Sequence, residues 1–146
     1  MSAPVAARAA EAMWAEDNAS RGLGMTLEEV ADGYARLAMT VRPDMTNGHA
    51  ICHGGFIFTL ADSAFAFACN SSGQRAVASH CQIAYLRPAR LDERLVAEAR
   101  ERYREGRQGI TDVTVRGADG AVVAEFRGFS RTIPGSLLGD APSGQT

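Results

Sequence analysis

The period of the apolar positions changes along the chain, and each change marks an element. Ala6–Asp17 is built from strong helix formers and predicts one surface helix over about residues 3–18. Met25–Val30 reads as a further short turn. From Gly33 to Val41 the pattern GYARLAMTV alternates, placing Ala35, Leu37, Met39 and Val41 on one face of a half-buried strand. Pro43–Cys52 is rich in turn formers, Asn47-Gly48 among them, and reads as a loop. After Gly54-Gly55, Phe56–Cys69 contains no Gly or Pro, and its apolar side chains cover nearly the whole circumference. That predicts a helix buried in a core, too short to span a membrane. Asn70–Gly73 stops it. The rest reads as β: Val77–Arg87 closed by Pro88, then Arg94–Arg104, Gly109–Arg116 and Ala121–Arg131. Glu105-Gly106 and Ala118–Gly120 supply hairpin turns between the last three. The expected domain is α+β and single over residues 1–146. Its core runs over about residues 33–133, with one strand, a buried helix, four more strands and a mobile tail over Pro134–Thr146.

Composition narrows the chemistry. In a chain of 146 residues, 46% hydrophobic, one domain can fold on an ordinary core without disulfides or metal. With 15 basic and 17 acidic residues there is no electrostatic footprint for nucleic acid or an anionic membrane. Every basic residue is Arg, so Schiff-base chemistry on lysine is excluded. Cys52, Cys69 and Cys81 show no CxxC or Cys/His ligand spacing, so neither zinc nor a disulfide scaffold is expected. Reduced cysteines point to the cytoplasm, and no signal peptide or membrane span is read. No glycine-rich phosphate loop is present, and no cofactor is expected.

Asp62 is the one charge in the central helix. A buried carboxylate is costly unless paired or used, so two readings compete: a structural Asp bonded to backbone amides or an Arg, or a catalytic acid. Its surroundings favour chemistry. Asn47 and His53 offer polar side chains, and Gly54-Gly55 stands where the loop enters the helix. First-turn N–H groups there suit an oxyanion, and the missing side chains let an acyl carbonyl approach. The glycines and Asp62 stand about two turns apart, roughly 10 Å along the axis. That is far for one site within one chain; two antiparallel copies of the helix would close the gap.

The stretch NGHAICHGGFIFTLADSAFAFACNS, Asn47–Ser71, resembles the motif of hotdog-fold thioesterases, closest to the phenylacetate-pathway (PaaI-type, hydroxyphenylacetyl-CoA thioesterase) branch. The likeness continues through AVASHCQIAYLRPAR and FRGFSR, covering about residues 33–133. It implies a long central helix wrapped by a curved five-stranded antiparallel sheet, and a homo-oligomer, dimer or tetramer, with sites at the dimer interface. It further implies an acyl-CoA substrate, with Asp62 as general base or nucleophile and Gly54 as the oxyanion N–H donor. Asn47 would orient the water or the other subunit's carboxylate, and His53 would support the thioester end. Some relatives carry a hydroxyl on the strand after the helix, where this chain places Ala78.

Other candidates stand beside their plainer readings. Gly55, Ser63 and Phe56 are candidate substrate contacts, although Ser63 could equally bond the preceding helical turn. Phe56 and Phe58 could stack on an aromatic acyl ring, whereas Phe65 and Phe67 read as core. Arg87, Arg90 and Arg131 are candidate phosphate contacts, and His80 a candidate channel residue. His49 reads as a loop residue, and a Cys52–His53 nucleophilic pair lacks an orienting third group. Two rival functions remain: a hotdog acyl-CoA hydratase or dehydratase, and a non-catalytic acyl-CoA-binding regulator.

Overall fold

Alternation along the strands builds a single curved sheet with one dry face. A computed structural model describes residues 4–139. Its strands are β1 (Thr26–Ala31), β2 (Tyr34–Thr40), β3 (Gln74–Tyr85), β4 (Arg94–Glu105), β5 (Gln108–Arg116) and β6 (Val122–Ser136). They lie in the order β1-β2-β4-β5-β6-β3, every neighbour antiparallel. Register lines Leu37, Ala97, Val115 and Ala124 across four strands, all fully buried. The alanines in that row keep the dry face shallow enough for a helix to lie on it.

That helix is α3 (Gly54–Cys69). It presses Ile57, Leu60, Ala61, Ala64, Phe65 and Ala68 into the core. The approach is closest at Gly128, where a Cβ would sit 2.6 Å from the Phe65 ring. The expectation of burial all round the helix is corrected here. Gly55, Phe58, Thr59, Asp62 and Ala66, spaced at 3 and 4 residues, form a stripe that the chain does not fully cover. The sheet covers one side of α3, and α1 (Val5–Glu16) covers a flank with Trp14, whose ring centroid lies 6.1 Å from that of Phe67.

The N-terminal helix breaks at Asp17, whose side chain caps a second short helix, α2 (Asn18–Gly22). Residues 26–31, expected within a turn, form a sixth strand instead. Asp32-Gly33 makes a tight turn, with Gly33 at φ 68°, and joins β1 to β2. Glu28-Glu29 and a bulge between Leu27 and Glu29 interrupt the alternation that would have announced a strand. Arg36 on β2 then pairs with Glu28 at 3.2 Å and Glu29 at 2.8 Å. The last strand also runs past Arg131 to Ser136. A register shift opposite Gln74 and Ala76 accommodates Pro134 at this edge. Strand thus occupies residues 134–136 of the expected tail, and its residues 140–146 lie outside the described residues, as does residue 3 of the expected first helix. No helix among the described residues is long and apolar enough to cross a membrane.

Candidate active site

The loop before α3 is held from both sides. Cys52 N–H donates to the Ala89 carbonyl at 2.8 Å, and His53 N–H to that of Met45 at 2.7 Å. At its tip Asn47 Oδ1 accepts the His49 N–H at 2.9 Å, and the Ala50 N–H reaches the Asn47 carbonyl at 3.1 Å. Asn47 spends its side-chain carbonyl on this turn and keeps its amide NH₂, exposed, as a donor.

The first turn of α3 has its donors distributed unequally. Gly55 N–H donates to His53 Nδ1 at 2.9 Å, and Phe56 N–H to the His53 carbonyl at 3.0 Å. Gly54 N–H is left with no acceptor among the described residues. The Gly55 N–H, a candidate substrate contact, is thus taken by His53, and a Cβ at Gly55 would stand 3.1 Å from His53 Nδ1. With Nδ1 accepting, neutral His53 carries its proton on Nε2. Sequence reasoning missed Tyr85, whose hydroxyl donates to the Gly54 carbonyl at 2.9 Å. Its ring leaves 3.0 Å to a hypothetical Gly54 Cβ. No spacing rule links positions on separate elements that meet only through the sheet's curvature.

Asp62 lies farther along α3, half-buried, with no hydrogen bond or ion pair to any described residue. Neither a backbone amide nor an Arg meets it, so the structural alternative finds no partner there. Burial pushes its pKa above the ordinary carboxylate value. Its charge in turn helps burial raise the Cys81 thiol on β3. Eight residues separate Asp62 from Gly54 on a continuous helix, about 12 Å at ~1.5 Å per residue.

Several other candidates go elsewhere. Ser63 turns away from the open stripe, and its hydroxyl meets that of Ser20 at 2.7 Å. Ser20 in turn donates to Asp17 at 2.7 Å. This contact clamps the α1–α2 corner and occupies the hydroxyl that was a candidate substrate contact. Phe56 stands edge-on to His53 at 6.1 Å and Phe58 edge-on to Phe126 at 5.4 Å, while Phe65 and Phe67 are core as expected. Arg87 is not free for phosphate: its guanidinium donates to both Asp119 oxygens at 2.8 and 3.0 Å. His80 packs tilted against Phe129, ring centroids 5.4 Å apart, on the sheet face away from α3. Burial pushes the Cys52 thiol up to about 11, which removes it as a nucleophile. Among the described residues no group of three His, Cys, Asp or Glu is placed to hold a metal.

A helix laid in a curved antiparallel sheet, with a motif spanning its N-terminus and an uncompensated carboxylate two turns on, defines a hotdog-fold thioester hydrolase. Residues 49–124 match the thioesterase superfamily, and the chain belongs to it. Among its relatives, acyl-coenzyme A thioesterase PaaI of Escherichia coli (strain K12) is 42% identical over 132 residues, 90% of this chain and 94% of that one. The solved structure of the E. coli PaaI protein from the phenylacetic acid degradation operon matches with TM-score 0.89, covering 90% of this chain and 96% of that one. A mutant of the phenylacetic acid degradation protein PaaI from Thermus thermophilus, 38% identical, matches with TM-score 0.77 over 80% of this chain and 100% of that one.

Proposed function

We propose that the protein hydrolyses acyl-CoA thioesters carrying a short aromatic acyl group, phenylacetyl or a ring-hydroxylated relative, in a site shared between two copies of the chain. The observation that carries this reading is the pair on α3: one N–H without an acceptor, at Gly54, and one carboxylate without a partner, at Asp62. Gly54 N–H is aimed from a helix N-terminus, where negative charge is favoured. Asp62, ionised, either takes a proton from the attacking water and passes it to the departing CoA sulfur, or attacks the carbonyl carbon itself to give an acyl–Asp62 anhydride that water then cleaves to the free acid and Asp62. The carbonyl oxygen gathers charge on Gly54 N–H, the C–S bond breaks, and CoA leaves as its thiol once protonated. The Asn47 amide orients the water or the carboxylate, and His53 fixes the glycine turn while its Nε2–H supports the thioester.

One chain cannot bring groups about 12 Å apart along a helix onto one carbonyl. A second chain, with its α3 antiparallel, brings Asp62 of one to Gly54 of the other. The free edge of β3 supports such a homo-oligomer. Val77 (47% exposed), Tyr85 (50%) and Leu86 (58%) stand open there and beyond its end, and an uncovered edge strand is a template for pairing. The kinship with PaaI supports the aromatic acyl group, and three free cysteines fit a reducing cytoplasm.

The test is CoA release, followed with a thiol reagent, across a panel of acyl-CoAs. Higher kcat/KM on phenylacetyl-type esters than on palmitoyl-CoA is expected. Equal or better values on palmitoyl-CoA would remove the aromatic assignment, and no release from any ester would remove the activity.

A further inference from the structure

The open stripe of α3 does not end at Asp62. Ala66 follows four residues on, one turn along the same face and about 6 Å farther down the axis. There it forms part of a groove of about 580 Å³, walled by Met13 of α1, Ala76 and Val77 of β3, and Ile133 of β6. That volume suits a small-molecule pocket. Of its charged lining residues, Asp17 is occupied by Ser20, and Glu16 and Arg75 are exposed.

We propose that this groove receives the acyl group and that the small side chain of Ala66 sets how large that group can be. The inference rests on the reading of Asp62 as the catalytic carboxylate. With the carbonyl carbon at Asp62, a ring carried on one methylene extends about one helical turn, which brings it to Ala66. Met13, Ala66, Ala76, Val77 and Ile133 give one side of the groove an apolar surface for such a ring, beside the polar Glu16, Asn70, Arg75 and Ser136.

The groove is held in shape before any ligand arrives. Buried Asn70 staples its floor, donating from Nδ2 to the Ala66 carbonyl at 2.9 Å and accepting the Ala76 N–H at 2.8 Å. The α1 wall is fixed by Trp14 against Phe67 and by the Ser63–Ser20 contact. The N-terminal helix, remote in sequence from the thioesterase motif, thereby becomes the closing wall of the acyl site.

The experiment measures kcat/KM on phenylacetyl-CoA and acetyl-CoA with Ala66→Leu, and on 1-naphthylacetyl-CoA and phenylacetyl-CoA with Met13→Ala. Filling a hydrophobic pocket discriminates by about tenfold or more per added group. Ala66→Leu should lower the phenylacetyl-to-acetyl ratio at least about tenfold. Met13→Ala, which shortens the opposite wall, should raise the naphthylacetyl-to-phenylacetyl ratio. A folded Ala66→Leu that leaves its ratio unchanged, or loses both activities equally, overturns the placement. If Ala66→Leu does not fold, an unchanged ratio in Met13→Ala overturns it instead. Wild-type protein releasing CoA from no ester at all would sink the parent reading, a different result from unaltered selectivity in an active enzyme.

Discussion

Asp62 is ionised at neutral pH only at a cost, because burial withdraws water and no described donor replaces it. Its folded pKa lies above its ordinary 3.8, so folding favours the protonated form. The stability this brings is complete below the unfolded value and is lost as pH rises through the raised folded one. Whenever the folded chain holds Asp62 ionised, that charge has no partner among the described residues. Asp62→Asn should melt higher than wild type at pH 7, with the difference shrinking as pH falls towards 3.8. It should also lose more than about tenfold in kcat, at least ~1.4 kcal/mol of barrier. Thermal melts across pH, alongside CoA-release kinetics, check both. A variant that melts no higher would mean that the carboxylate is paired in the assembled protein. Gly54 carries the complementary prediction. Its φ is ordinary, so the demand for glycine comes from the Tyr85 ring, 3.0 Å from where a Cβ would stand. Gly54→Ala should displace the N–H and lose on the order of 100-fold in kcat, the scale of a 1 Å misplacement. Adding Tyr85→Ala should restore part of the loss by clearing the clash. Kinetics of the double variant no better than those of the single one would break this account.

At the scale of elements, the contact between α3 and the sheet sets where Asp62 stands. Gly128 on β6 has no side chain because the Phe65 ring occupies the space, 2.6–2.7 Å from a hypothetical Cβ. Phe65 is buried on a helix flanked by other core contacts, so it has little room to retreat. Gly128→Ala should destabilise the protein by about 1–3 kcal/mol, the usual cost of overpacking. Phe65→Leu in the same chain should return part of it. Urea titration of the three variants checks the expectation, and additive losses would show that the two positions are not in contention. The alternation in β2, the largely apolar run of α3 and the Gly-marked hairpins were all legible in the sequence. β1 was not, since Glu28 and Glu29 mask its period and their stabilising partners, Arg36 and Arg94, arrive from other strands.

At the scale of the whole molecule, the Gly55–Asp62 part of the open stripe on α3 and the free end of β3 at Tyr85 and Leu86 are the surfaces that the proposed homo-oligomer would use. If each site takes Gly54 from one subunit and Asp62 from its partner, damage to different groups is separable. Mixing inactive Asp62→Asn subunits with inactive Asn47→Ala subunits should restore partial turnover, because some interfaces then receive both intact groups. Activity measured after subunit exchange, itself followed by native mass spectrometry, decides this. No recovery in mixtures that have exchanged would place the whole site within one chain.

The sequence by itself determined what short-range physics can encode. Periodicity marked β2, α3 and the strands after it, a lone carboxylate in an apolar helix singled out Asp62, and paired glycines after His53 marked the helix N-terminus. Tertiary structure decided which of those groups stay available. His53 consumes the Gly55 N–H and leaves that of Gly54, a choice made by one side-chain rotation. Ser63, adjacent to Asp62 in sequence, faces Ser20, because successive helical residues diverge by about 100°. Tyr85 reaches Gly54, and Met13 reaches the groove at Ala66, only because a curved sheet and a docked helix bring distant segments together. Such contacts follow from the global path of the chain, which no local pattern of residues contains.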